Sequence, residues 1–146
     1  ADDIEHGILR GNHRFPGSLF HPFDEEDPRR QYSVEPPDPR IHFALVCASA
    51  SCPPSEVYSA ESLDEDLEIS GKTFLNATVQ IDRDRHLVHL PKIFKWYGAD
   101  FGDDELEYLE FVAPYLFSEQ DRDFLQKEAQ NLKVEYLDYD WRLNRD

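Results

Sequence analysis

The sequence predicts an α+β fold: a small mixed or antiparallel sheet with one hairpin, packed against about five helices, with a long proline-rich loop. Three observations predict it. Two runs that alternate at period two flank a short polar turn. Several apolar stretches follow helical spacing without alternating strictly with strands. Residues 12–40 hold six of the ten prolines. With 146 residues, the simplest organisation is a single domain spanning 1–146, large enough for a core without disulfide staples.

The elements follow in order. Asp2 to Arg10 reads as a helix whose acidic start (Asp2, Asp3, Glu5) complements the N-terminal dipole. Ile4 and Ile8 share one face, His6 and Arg10 another, and Gly11-Asn12 ends it. The proline-rich loop carries Phe15, Leu19, Phe20, Phe23 and Tyr32 as apolar anchors, so it reads as a loop pinned to the body, structural or lid-like.

Ile41 to Val46 is an apolar run of strand length. It leads into small residues, and Pro53-Pro54 close the stretch. Ser59 or Ser62 caps a helix running through Ala77, with Gly71 its weak point. Residues 78–82 and 86–90 form the hairpin around Asp84-Arg85. Pro91 opens a largely apolar helix to Phe101. A further helical segment from Leu106 is interrupted at Pro114. Ser118 with Asp121 caps the next helix, and Lys133 to Tyr139 is a last strand, with Trp141 and Leu143 tying down the tail.

Composition limits function. Thirty-one acidic residues against fifteen Lys and Arg leave a net charge of −16, which disfavours nucleic acid and anionic membrane surfaces. No apolar run approaches the roughly 20 residues a membrane helix needs, so no transmembrane segment is expected. A soluble protein is expected, and a secreted or periplasmic location is compatible with it. The chain begins at Ala1 and has no Met, which reads as a processed product or a piece of a longer protein. Asn76-Ala77-Thr78 fits the N-glycosylation sequon, a short and frequent motif.

Both cysteines and His42 fall within residues 41–54, and any chemistry is expected there. Cys52 lies in the loop and is the candidate nucleophile. Cys47, on the strand's core face by alternation, reads as an inert small hydrophobe, with His42 on the opposite face. His42 and His6 are the candidate bases and Glu5 or Asp100 the group that orients an imidazole. Arg10, Ser51 and Trp96 are the candidate substrate contacts. Three other readings use the same stretch. Cys47, Cys52, His6 and His42 could bind zinc, the two cysteines could form a disulfide, or the acidic, aromatic surface could be a non-catalytic interaction module. No cofactor is expected. The partner is a small-molecule or peptide substrate that the sequence does not identify.

Four blocks also resemble a known family in order and spacing. They are Ile4-Glu5-His6-Gly7-Ile8-Leu9-Arg10, Ile41 to Cys47 leading to Ser51-Cys52-Pro53-Pro54, Lys92 to Tyr97 with Asp100-Phe101, and Tyr139-Asp140-Trp141. The chain resembles the domain of unknown function numbered 547 over nearly its whole length. The resemblance implies kinship with papain-like thiol hydrolases, hence a cysteine nucleophile acting on an amide or thioester. Members of that family carry an upstream apolar segment with an Asn-Ala-Tyr-Asn type motif. Its absence here makes a removed piece, a second chain or an oligomer a candidate to complete the fold and site.

Overall fold

The computed structural model describes residues 2–144. It is α+β, with five α-helices, an opening helix of π-type winding and a three-stranded sheet among the described residues. The opening helix spans Asp3–Leu9, and α1 spans Leu63–Thr78, with Asp64, Glu65 and Asp66 at its positive end. Strands β1 (Gln80–Asp82) and β2 (Leu87–Leu90) form the expected hairpin. They pair antiparallel, whereas β2 pairs in parallel with β3 (Lys133–Tyr136). The sheet is therefore mixed, in the order β1-β2-β3. Helices α4 (Glu105–Val112) and α5 (Glu119–Glu128) lie between β2 and β3 in sequence.

Local signals explain several boundaries. Ser118 accepts a hydrogen bond from the Asp121 N–H at 3.2 Å, the cap expected from sequence, and Asp104 caps α4 in the same way. Ser62 occupies the N-cap position of α1, but its hydroxyl donates to Asp66 instead of capping the backbone. The helix expected over Lys92–Phe101 breaks at Tyr97 into α2 (Lys92–Trp96) and α3 (Gly98–Phe101). Asn76 of the sequon donates its amide to the Lys72 and Tyr115 carbonyls and accepts from the Phe117 N–H.

The central run is not a strand. Asp38 accepts from the Arg40 N–H, Pro39 follows at the first helical position, and Pro39–Phe43 winds as a 3₁₀ helix. A short apolar run is compatible with strand or helix, and the Asp-Pro start decides it. Phe43 is fully buried on α1, where Gly71 makes room: a Cβ there would lie 2.7 Å from Tyr115 Cε1 and 3.2 Å from Phe43 Cδ2. Gly71 is thus a packing requirement, not a weak point.

The core joins Phe43, Leu75, Val88, Leu90, Phe94 and Val112, drawn from the 3₁₀ turn, α1, α2, α4 and the sheet. Of the five apolar residues expected to pin the long loop, only Phe23 is buried, its ring seated against Gly7. Phe15, Leu19, Phe20 and Tyr32 are exposed. No helix among the described residues is long and apolar enough to cross a membrane.

Candidate functional site

Two groups of side chains meet at one cleft. The first is a buried polar cluster centred on Asp100 of α3. Arg10, at the end of the opening helix, reaches it with Nε–Oδ2 at 2.5 Å and Nη2–Oδ1 at 3.0 Å. His42 Nε2 lies 2.8 Å from Oδ2 and His13 Nδ1 3.1 Å from Oδ1. Burial alone would raise the Asp100 pKa. Hydrogen bonds from His42, Arg10 and His13 outweigh it and hold the carboxyl well below the usual carboxylate range.

Arg10 Nη1 also lies 2.8 Å from His6 Nδ1. A guanidinium only donates, so His6 accepts at Nδ1 and carries its proton on Nε2 as a neutral ring. Burial lowers the His6 pKa below 6.5; Glu5 opposes this and the Arg10 charge reinforces it. His6 thus bonds Arg10, which pairs with the same Asp100 carboxylate that binds His42. Glu5 accepts from the Tyr97 hydroxyl at 3.1 Å, and the Tyr97 ring stacks on His42 with centroids 4.3 Å apart. Burial, and then the Glu5 charge, push the Tyr97 hydroxyl up to about 12.

The second group is the thiol pair. With Pro39–Phe43 wound as a helix, the segment beyond it leaves the core, and Cys47 is exposed while Cys52 is half-buried. The two sulfurs lie 2.8 Å apart, and the Cys47 N–H lies 2.8 Å from Cys52 Sγ. Around Cys47 Sγ stand the Tyr139 hydroxyl at 3.2 Å and the Ser49 hydroxyl at 3.3 Å. Ser49 donates in turn to the Tyr139 oxygen at 2.8 Å, leaving the phenolic proton free to point at sulfur.

Burial pushes the Cys47 thiol up, but bonds from Cys52, Ser49 and Tyr139 prevail and bring it down to about 7. Tyr139 is shifted the opposite way, upward, first by burial and then by its bond to Cys47. The phenol therefore stays protonated and remains a donor.

The loop is held by the tail. Ser49 bridges Leu143, the Ala50 N–H donates to the Arg142 carbonyl at 2.8 Å, and Ser51 Oγ accepts from the Asp140 N–H at 2.8 Å. The Ala48 backbone turns through φ 61° to allow the fold-back. Ser51 is thus engaged in loop anchoring.

The cleft between the groups has a volume of about 460 Å³. Of the residues singled out from sequence, Cys52, Cys47, His42, Glu5 and Trp96 line it, whereas His6, Arg10 and Ser51 do not. Ile4, Val46, Ile93, Tyr97 and Trp141 make the remainder mostly apolar. Among the described residues no imidazole is hydrogen-bonded to either sulfur; hydroxyls and the second thiol surround Cys47 instead.

The zinc set does not assemble. His6 and His42 are taken up by Arg10 and Asp100, and no three His, Cys, Asp or Glu side chains among the described residues could hold a metal. Sequence reasoning missed Tyr139 and Ser49 as partners of sulfur and placed Cys47 in the core. The Tyr139-Asp140-Trp141 block was the available signal for Tyr139.

Residues 1–75 match the family described as "Protein of unknown function, DUF547". The blocks at 92–101 and 139–141 lie outside the matched residues. No curated protein and no solved structure gives a match.

Proposed function

The chain belongs to the DUF547 family of proteins of unknown function, and from that premise we propose cysteine-dependent acyl chemistry: hydrolysis of, or acyl transfer from, an amide or thioester. The observation that supports it is one cleft that holds two thiols together with an imidazole anchored on a buried carboxylate. Cys47, the more exposed sulfur, attacks as thiolate. The Tyr139 hydroxyl, its oxygen held by Ser49, donates to the anion, so no base bonded to sulfur is needed in the ground state.

Attack forms a bond from sulfur to the carbonyl carbon and breaks the bond to the leaving amine or thiol. His42, fixed through Nε2 by Asp100, takes up the proton that Cys47 loses on ionising and gives it to the leaving group. Water then gives a proton to the now neutral His42 as it attacks, and cleavage of the acyl-sulfur bond releases the acid and restores the thiolate. The Ile93, Trp96 and Trp141 walls suit an apolar acyl group.

A chromogenic thioester with a short aliphatic acyl group tests this. An acyl adduct on Cys47 should be trapped by mass spectrometry in the native protein and be absent from Cys47→Ser. His42→Gln should acylate but turn over roughly 10²–10⁴-fold more slowly. Acylation at the rate of free cysteine, without turnover above background, would leave the cleft a binding surface and the catalytic reading without support.

A further inference from the structure

We infer that Cys47 and Cys52 form a reversible thiol–disulfide switch, in which a low-molecular-weight disulfide oxidises Cys47 first and Cys52 resolves the adduct. The inference deepens the reading above as regulation of the same site, although its chemistry can be tested without any acyl substrate.

Three features carry it. The sulfurs are 2.8 Å apart, so closure to the roughly 2.05 Å of a disulfide needs only small rotations of two side chains. The loop between them is already folded back: the Cys52 N–H donates to the Ser49 carbonyl at 3.0 Å, and the tail fixes Ser49 and Ala50 from outside. Ring closure therefore orders little that is not already ordered. The two thiols also differ. Cys47 is exposed to an incoming disulfide and hydrogen-bonded to two hydroxyls, while Cys52 is half-buried.

The steps balance. The Cys47 thiolate attacks one sulfur of the small disulfide, forming a mixed disulfide and expelling one small thiolate. Cys52 loses its proton to solvent and attacks Cys47 Sγ, forming the Cys47–Cys52 bond and expelling the second small thiolate. The pair has been oxidised by two electrons and the small disulfide reduced by two. Closure removes the nucleophile from the cleft, and a small thiol restores it by the reverse sequence.

Oxidised glutathione serves as the probe, read by intact mass and peptide mapping. The native protein should pass through a glutathione adduct to a species lighter by two hydrogens, with both cysteines in one cross-linked peptide. Cys52→Ser, and separately Cys52→Ala, should stop at a stable adduct on Cys47. With its thiolate fraction set by a pKa of about 7, Cys47 should react roughly threefold faster than free cysteine at neutral pH, after allowing for its lower intrinsic nucleophilicity. A persistent adduct in the native protein overturns the inference, as does an adduct that forms first on Cys52. Loss of acyl turnover alone bears on the catalytic reading and leaves this test untouched.

Discussion

Arg10 and Asp100, ninety positions apart, form a bidentate ion pair in which the two side chains are only 4% and 1% exposed. The pair joins the opening helix to α3, and His42 and His13 complete the set of donors around the same carboxylate. Asp100→Ala should therefore leave a buried guanidinium without its counter-ion and deprive His42 of its anchor. The expected cost is about 3–5 kcal/mol of unfolding free energy. Denaturant titration of the two proteins measures it, and a loss below about 1 kcal/mol would show that the network is incidental.

The same cluster sets a pH dependence with two limbs. The His6 pKa is lowered from 6.5 in the fold, so the unfolded chain takes up its proton first and stability falls as pH drops through 6.5. The loss levels off once the folded ring also protonates. Glu5, Arg10, Asp2 and His42 are the charged or titratable groups that act on this ring. Asp100 is likewise lowered from 3.8, so the stability it contributes is complete above 3.8 and disappears as pH falls below that through its folded value. His6→Asn should flatten the limb that sets in as pH falls through 6.5, whose slope per group cannot exceed about 1.4 kcal/mol per pH unit. An unchanged slope there would assign the limb to other groups.

What the sequence disclosed follows the range of the interactions involved. The hairpin, the α5 cap at Ser118 and the course of α1 rest on neighbours within a few residues, and they were legible. Ile41 to Val46 was misread as a strand because a short apolar run does not declare its period. The Asp38-Pro39 start was the cue that should have outweighed composition. That one error moved Cys47 from the surface into the core. The Asp100 hub gathers partners 58 to 90 residues away, and no local pattern encodes such a meeting. Phe23 could not be told from Leu19 or Phe20 because its burial depends on Gly7 lying opposite.

That contact gives a prediction whose sign runs against propensity. Gly→Ala in a helix ordinarily stabilises by about 0.4–1 kcal/mol. At Gly7 an added Cβ would stand 2.3 Å from Phe23 Cζ and 2.5 Å from Cε2, inside any allowed separation. Phe23 is 2% exposed and backed by the Arg29 guanidinium 4.3 Å from its ring centroid, so it has little room to retreat. Gly7→Ala should cost about 1–3 kcal/mol and expose the residues 12–40 loop to proteolysis. The double variant Gly7→Ala with Phe23→Leu should recover part of that loss. If Gly7→Ala proves as stable as the native chain, Phe23 does not seat on this glycine in solution.

Tyr139 is the most direct handle on the sulfur. Its hydroxyl lies 3.2 Å from Cys47 Sγ, and its own pKa is shifted upward, so the phenol stays protonated over the range in which the thiol ionises. Tyr139→Phe removes this donor and leaves the ring contacts with Trp96 and Trp141 in place. A hydrogen bond to a charged group contributes about 1.5 kcal/mol, which corresponds to roughly one pH unit. Alkylation of Cys47 by iodoacetamide, followed across pH in a Cys52→Ser background, should show a half-rise that moves upward by about that amount when Tyr139 becomes Phe. Ser49→Ala should move it in the same direction, because the Ser49 hydroxyl holds the phenolic oxygen at 2.8 Å and also faces the sulfur. A half-rise that stays put in both variants would mean that the hydroxyls do not hold the thiolate and that its ionisation is governed elsewhere in the loop.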